Sequence, residues 1–433
     1  MIAKLFIILI SLTLYVTPAW SFFNSIFGSS KNVILIIPDG CSNTMWASIR
    51  AMTVGSGGIL NIDRLPVQSR CSNYSADSMI TDSAASATAY MCGIKTRNGI
   101  LGMTAETSRG DSLSGKPAQS ILEMAETAGF STGVVTTTSI QHATPAVTYT
   151  HRAERDWYEL IAHDLVGSGI EVIMGGGRHY MIPSGTSGEE HARSKRSDKR
   201  NIIEELRREG YAYVHDKVGF ESIDPRETDK LLGIFNPDHM NYEFDRLNDV
   251  NGEPALWEMT DKALEILSQN KKGFFLLVEA GRIDHAAHDH DYQRYLWDGI
   301  ACDKTVGVAL EFARTHSNTL LVVVPDHGCG GPDLVGMYEI KGNDPTLVTR
   351  KQENSVSQRM SVDGFPAPGQ GKFTALRWNE DTSHTGEDVI LHAFGPSSEK
   401  LSGFVNNTDI FSVMADHLGF REKKKDIIDT IDF

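Results

Sequence analysis

Beyond its first 21 residues the chain has no run long and apolar enough to cross a bilayer, and the stretch Arg421 to Phe433 is charged. We therefore expect no later membrane span and no hydrophobic tail of the kind exchanged for a lipid anchor. Positive charge is also short: 41 Lys and Arg face 56 Asp and Glu, a net of −15. That balance argues against a general nucleic-acid-binding surface. An anionic substrate would need local positive charge from metal ions or arginine. Cysteine is scarce, five residues among 433. The number is odd, and the spacings show neither a disulfide framework nor a zinc–thiolate pattern. Buried or paired cysteines without catalytic duty are expected. Internal repeats and low-complexity segments are absent as well.

The first residues, Met1 to Ser21, carry one early cation, Lys4, then an apolar stretch from Leu5 to Val16 and a small-x-small step at Ala19 and Ser21. This pattern predicts a secretory signal peptide cleaved after Ser21, and so a secreted or periplasmic protein. The remainder, residues 22–433, is long enough for two or three domains but equally suits one large α/β domain. Asn32 to Ile37 is a continuous apolar run ending in Pro38-Asp39-Gly40, and similar runs recur at Gly133–Thr137, Ile170–Met174, Phe274–Val278, Leu320–Val324 and Val389–Phe394. Runs of this kind suit strands buried on both faces. Helical patterns such as Ala118–Ala128 and Trp257–Asn270 lie between them. The alternation predicts an α/β fold whose mostly parallel central sheet is flanked by helices on both faces. Ser184–Lys199 and the Gly/Pro-rich stretch from Cys329 to Ser383 read as surface excursions, the second as an insertion over about 329–383. The charged patch Glu189–Arg200 reads as a solvated face. Asn73-Tyr74-Ser75 and Asn406-Asn407-Thr408 match the N-glycosylation triplet.

Chemistry-bearing residues gather at the ends of these runs. Thr81-Asp82-Ser83 opens onto the small-residue run Ala84 to Ala89. Asp82 suits an N-cap, which would leave Ser83 at the positive end of a helix dipole, a favourable place for a phosphate and a nucleophilic alkoxide. Asp39 follows the first run, Glu279 follows Phe274–Val278, and Asp326-His327 follow Leu320–Val324. A helix beginning near Asp284 would place Asp284 and His288 on one face, four residues apart. Asp289, His290 and Asp291 read as surplus polar surface. His384 precedes the last run. So many carboxylates would oppose folding unless cations neutralise them. Histidine with carboxylate suits zinc; carboxylate with hydroxyl suits magnesium.

Thr81-Asp82-Ser83-Ala84-Ala85-Ser86-Ala87-Thr88-Ala89 resembles the nucleophile signature of the alkaline phosphatase family. Pro38-Asp39-Gly40, Gln141 to Ala146, Gly175-Gly176-Gly177-Arg178, Val278-Glu279 through His288, Asp326-His327 and His384 through Val389 resemble further family motifs in family order. The resemblance implies a first zinc on Asp284, His288 and His384, and a second on Asp39, Asp326 and His327 that also contacts Ser83. It implies a third ion, usually magnesium, on Asp39, Thr144 and Glu279. Arg155, thirteen residues after His142, would bind the phosphate in preference to Arg152. His142 and His285 would reach the substrate through water; they resemble the animal and marine bacterial branch. Asn236 stands where animal members carry an acidic ligand of a fourth site, so calcium is not expected. The crown-like insertion is shorter than in animal enzymes.

The implied activity is hydrolysis of phosphate monoesters through a phosphoserine on Ser83, with two Zn2+ and one Mg2+, in a homodimer. Two alternatives stay open: a phosphodiesterase or sulfatase-type relative, and a non-catalytic phosphate- or metal-binding protein on the same fold. The former usually carry threonine or a modified cysteine where this chain has Ser83.

Overall fold

The computed structural model describes residues 30–186, 193–249, 252–340, 348–351 and 371–420. The proposed signal segment lies outside them, as does part of the 329–383 insertion. Eight strands precede the insertion: β1 (Lys31–Ile37), β2 (Val67–Ser72), β3 (Ser131–Ser139), β4 (Val172–Gly176), β5 (Ala212–Val214), β6 (Leu231–Asn236), β7 (Gly273–Glu279) and β8 (Thr319–Val323). Within and after it come β9 (Gly328–Cys329), β10 (Asp333–Ile340), β11 (Val348–Lys351), β12 (Gly371–Arg377), β13 (His384–Thr385), β14 (Val389–Phe394) and β15 (Gly403–Asn406).

Ten of these form one sheet in the order β15-β2-β14-β8-β1-β7-β3-β4-β6-β5. Only β14 runs antiparallel to its neighbours, β2 and β8. In β1 the side chains alternate between two cores: Val33, Leu35 and Ile37 on one face, Ile34 and Ile36 on the other. Burial on both faces is why the strand is apolar throughout and not alternating. Each such Ile or Leu stabilises the fold by roughly 1.5–3 kcal/mol.

Helices Ser83–Cys92, Ile121–Ala128 and Asn407–Leu418 cover the first face. Helices Thr44–Thr53, Leu256–Leu267, Arg282–His288 and Tyr292–Thr315 cover the second. The expected architecture is therefore present, and the first and last helical patterns begin within three residues of where the periodicity puts them. Four strands of this sheet were not anticipated, one of them β5, three residues long and at the edge. β2 is an outer strand with a half-exposed alternating pattern, β6 carries Gly233 at its centre, and β15 has four residues. A separate antiparallel sheet, β11-β10-β12, lies inside the insertion, and β9 pairs with β13 at its base. The charged patch departs from expectation at Arg196, which is buried: its guanidinium pairs with Asp198 at 2.7 Å and donates to the Tyr180 carbonyl at 2.8 Å.

Parallel register sets the position of everything that follows. Ile36 pairs with Val323, so Asp39 and Asp326, each three residues farther on, emerge side by side. Glu279 pairs with Ile37 on one side and Thr136 on the other. The carboxyl ends of β8, β1, β7 and β3 thus converge, the edge at which open α/β sheets bind ligands.

Candidate active site

Asp82 caps the helix Ser83–Cys92, its Oδ1 accepting from Ala85 N at 2.9 Å. The helix is buried along its whole length, which is why it is built from Ala, Ser and Thr. Ser86 Oγ donates to the Asp326 carbonyl at 2.9 Å, and Tyr90 OH to the Pro325 carbonyl at 2.7 Å. These bonds fasten the helix to the end of β8. Ser83 Oγ then stands 3.3 Å from His327 Nε2.

Three clusters of ligand-type atoms surround this serine. Asp39, Asp326 and His327 form the innermost one and are fully buried. His327 Nε2 lies 3.1 Å from Asp326 Oδ2 and 3.6 Å from Asp39 Oδ1. Asp326 Oδ1 accepts from the backbone N–H of Gly40 and of His327, at 3.1 and 2.9 Å. Gly40 is required here: its φ is +66°, and a Cβ would sit 2.5 Å from Asp284 Oδ1. Asp39, His142 and Glu279 form a second cluster. Thr136 and Thr138 both donate to Glu279 Oε2, the latter at 2.8 Å, so one oxygen is fixed and Oε1 is left free.

The third cluster contains Asp284, His288 and His384, joined by Cys329. The helix Arg282–His288 does place Asp284 and His288 one turn apart, with Oδ2 and Nε2 separated by 3.3 Å. His288 Nδ1 donates to the Thr382 carbonyl at 2.5 Å and His384 Nδ1 to the Thr81 carbonyl at 2.9 Å. His327 Nδ1 does the same with the Gly328 carbonyl at 3.3 Å. A carbonyl can only accept, so each Nδ1 carries the proton and each Nε2 turns a lone pair inward. The Nε2 atoms of His288 and His384 are 3.2 Å apart. Two ligands of a tetrahedral zinc with bonds of about 2.05 Å are separated by about 3.3 Å.

Buried atoms without a hydrogen-bond partner test the fit to cations. They include both carboxylate oxygens of Asp39, Asp326 Oδ2, Asp284 Oδ1, Glu279 Oε1, His142 Nδ1 and Thr144 Oγ1. An orphaned buried polar atom costs about 1–3 kcal/mol, more when charged, and here seven lie in the three clusters or beside them. Burial pushes Asp39 well above the ordinary carboxylate range, and the charges of Asp326, Asp284 and Glu279 push it further. Burial lowers His384 to about 4, with His327 adding to the effect. His142 Nδ1 carries its ring proton, because Arg155 can only donate to Nε2. The vacant carboxylate and hydroxyl oxygens, with the inward lone pairs of His288, His327 and His384, make a donor set that fits divalent cations.

Arg155 is held by Asp82 Oδ2 at 3.0 Å and by His142 Nε2 at 3.0 Å, so its guanidinium faces the start of the Ser83 helix. Arg152 instead pairs with Asp164 at 2.6 Å. His142 and His285 lie ring to ring at 5.5 Å. Their neighbour His239 had no signal in its own sequence surroundings; it follows β6 and reaches the site only through the fold. Its Nδ1 accepts from Ser139 N at 3.0 Å, and its ring lies 4.5 Å from that of His285. Burial, the charge of His142 and that of Arg282 lower it to about 3. His290 stacks on Trp378 at 5.1 Å, and Asp291 caps the helix Tyr292–Thr315. Asn236 Nδ2 donates to Glu253 Oε1 at 2.6 Å. Asn73 of the first glycosylation triplet is buried and donates to the Asp326 carbonyl at 3.0 Å.

A family model described as alkaline phosphatase matches residues 30–420. The chain belongs to the alkaline phosphatase family. It is 32% identical to the membrane-bound alkaline phosphatase of Bombyx mori over 442 residues, covering 90% of this chain and 80% of the relative. It is 33% identical to the tissue-nonspecific alkaline phosphatase of Mus musculus, covering 89% and 83%. Among solved structures, the Thermus thermophilus alkaline phosphatase superposes with a TM-score of 0.74 at 26% identity, covering 91% of this chain and 93% of that one. The enzyme of the Antarctic bacterium TAB5 gives 0.70 at 25%, covering 91% and 99%. A variant of the TAB5 enzyme holds Mg in its M3 site. Membership in the alkaline phosphatases makes the chain a metal-dependent phosphomonoesterase. Among the described residues no helix is long and apolar enough to cross a membrane.

Proposed function

We propose that the protein is an exported phosphomonoesterase that works through a phosphoserine on Ser83, with two Zn2+ and one Mg2+. The observation that carries this is Ser83 itself: a buried hydroxyl on a helix N-terminus, 3.3 Å from His327 Nε2, among carboxylates with unpartnered oxygens. Asp284, His288 and His384 would hold the first zinc, Asp39, Asp326 and His327 the second, and Asp39, Thr144 and Glu279 the magnesium. When bound, the ions neutralise the phosphate's charge, favour ionised serine and water, and stabilise the leaving oxygen.

The chain's own residues do the rest. Arg155, anchored by Asp82, presents its planar fork to two non-bridging oxygens and orients phosphorus for in-line attack. Ser83 Oγ forms the P–O bond as the ester P–O bond breaks and the alcohol departs, taking up a proton. Water then attacks from the vacated side, releasing inorganic phosphate and restoring the Ser83 hydroxyl. Free N–H groups at the helix start stabilise the serine's developing charge. His142 and His285 line the same space and reach the phosphate through water.

Export rests on the apolar segment before Ser21, and a homodimer on family resemblance. The decisive experiment measures metal content and p-nitrophenyl phosphate hydrolysis before and after chelation, for the native chain and Ser83→Ala. We expect about two zinc ions per chain, activity lost on chelation and restored by zinc with magnesium, and a Ser83→Ala variant that binds metal but barely turns over. Near-normal hydrolysis by that variant would sink the covalent route. Faster cleavage of a diester or an aryl sulfate than of the monoester would move the assignment to those relatives.

A further inference from the structure

We propose that Cys329 is a fourth ligand of the site formed by Asp284, His288 and His384, giving that ion a sulfur donor. The inference rests on the reading above that this trio holds zinc, and it assigns a role to a residue that neither spacing nor family motif singles out.

The ribbon at the base of the insertion creates the arrangement. β9 and β13 pair antiparallel with Cys329 directly opposite His384. Residues opposite one another in such a pair project to the same face, so the thiol accompanies the imidazole. Cys329 Sγ and one ligand atom each of Asp284, His288 and His384 all lie within 4.8 Å of one another. Cys329 is fully buried. Its Sγ makes a long contact, 3.8 Å, with the Thr382 carbonyl, the same carbonyl that orients His288. An independent observation points to a ligand: Asp284 Oδ1 is buried without a hydrogen-bond partner in this cluster.

A buried cysteine is ordinarily a small hydrophobe, and Cys92 and Cys302 fit that description. Cys329 also borders the second core, but its Sγ alone among these keeps the company of one carboxylate and two imidazoles. On binding, the S–H bond breaks, the proton passes to solvent, the sulfur forms the bond to the ion, and one water leaves the ion. No electron is exchanged. The resulting set of one carboxylate, two imidazoles and one thiolate is four-coordinate and soft enough to favour zinc and cadmium over magnesium or manganese. Because four protein ligands leave no open position, substrate must expand the shell or displace the sulfur, which makes Cys329 a resting-state ligand.

Zinc X-ray absorption on the full-length native chain tests this without a variant. We expect a sulfur shell at about 2.3 Å, distinct from nitrogen and oxygen at about 2.0–2.1 Å, at one sulfur per two zinc ions. In parallel, chelator-stripped protein reloaded with Co2+ should show a sulfur-to-cobalt charge-transfer band in the near ultraviolet. Cys329→Ser should lose the band and weaken zinc binding at one site by about tenfold or more, while Cys302→Ser keeps both. Two zinc ions bound in an active enzyme with no sulfur shell and no band would overturn the ligand assignment and leave the phosphatase reading intact. Failure of the native chain to bind zinc, with no hydrolysis, would overturn that reading and this inference together.

Discussion

The inner cluster, Asp39-Asp326-His327, and the outer cluster, Asp284-His288-His384, use similar donors but are built differently. The inner side chains are all fully buried and project from the ends of adjacent parallel strands. In the outer set the His288 side chain is 37% exposed and that of His384 17%, and the ligands come from one helical turn and a two-residue ribbon. The inner cluster inherits its geometry from the sheet register, which cannot adjust without disturbing both cores. The outer one is oriented by the carbonyls of Thr382 and Thr81 and opens toward solvent, where an alcohol can depart. Rigidity sits beside Ser83, and solvent access sits at the outer cluster.

The largest effect should follow Asp39→Asn, because Asp39 belongs to two clusters. We expect kcat to fall by about a thousandfold or more, with loss of both the inner zinc and the magnesium, read by steady-state kinetics and metal analysis. The same change should stabilise the chelated protein. Asp39's carboxyl is pushed far upward in the fold, so its ionisation opposes folding at neutral pH, and the amide removes that opposition. A lower unfolding midpoint for chelated Asp39→Asn would contradict this.

His384→Ala should cost less, about a hundredfold in kcat, while zinc drops from about two per chain to about one. Complete loss of zinc would show that the clusters are not separately built. Arg155→Ala touches neither set: KM should rise about 10- to 100-fold with metal content unchanged. A metal content that fell with it would assign Arg155 to holding the cages together.

The smallest effect lies away from both clusters, in β14. Burial lowers His392 to about 4 from its ordinary 6.5, so the unfolded chain takes up a proton more readily than the native one. Its contribution to stability is full above pH 6.5 and is lost as pH falls toward 4. Between pH 6.5 and 5 that amounts to roughly 2 kcal/mol. Denaturant unfolding of His392→Leu should lose that part of the acid sensitivity, and an unchanged pH slope would exclude it.

The inner cluster was legible in the sequence because strands buried on both faces write themselves as unbroken apolar runs, and the acid after each run is easy to see. β2, with exposed Gln68 and Arg70 alternating with buried Ser69 and Cys71, writes no such run. The helix at Ser83 was legible through its cap and its small residues. Thr136, Thr138 and His239 were not: their duties depend on Glu279 and Ser139 arriving from elsewhere in the chain. Cys329 is the sharpest case. Its meaning depends on facing a histidine 55 positions later, across a ribbon only two residues long.

Gly328–Cys329 and His384–Thr385 clasp the two stems of the insertion, and the carbonyl of Thr382 steadies His288 from the returning stem. Whatever chain is strung between the stems begins and ends at fixed points. A change in the length or sequence of that segment therefore need not move Cys329, His384 or Thr382, provided the clasp stays shut.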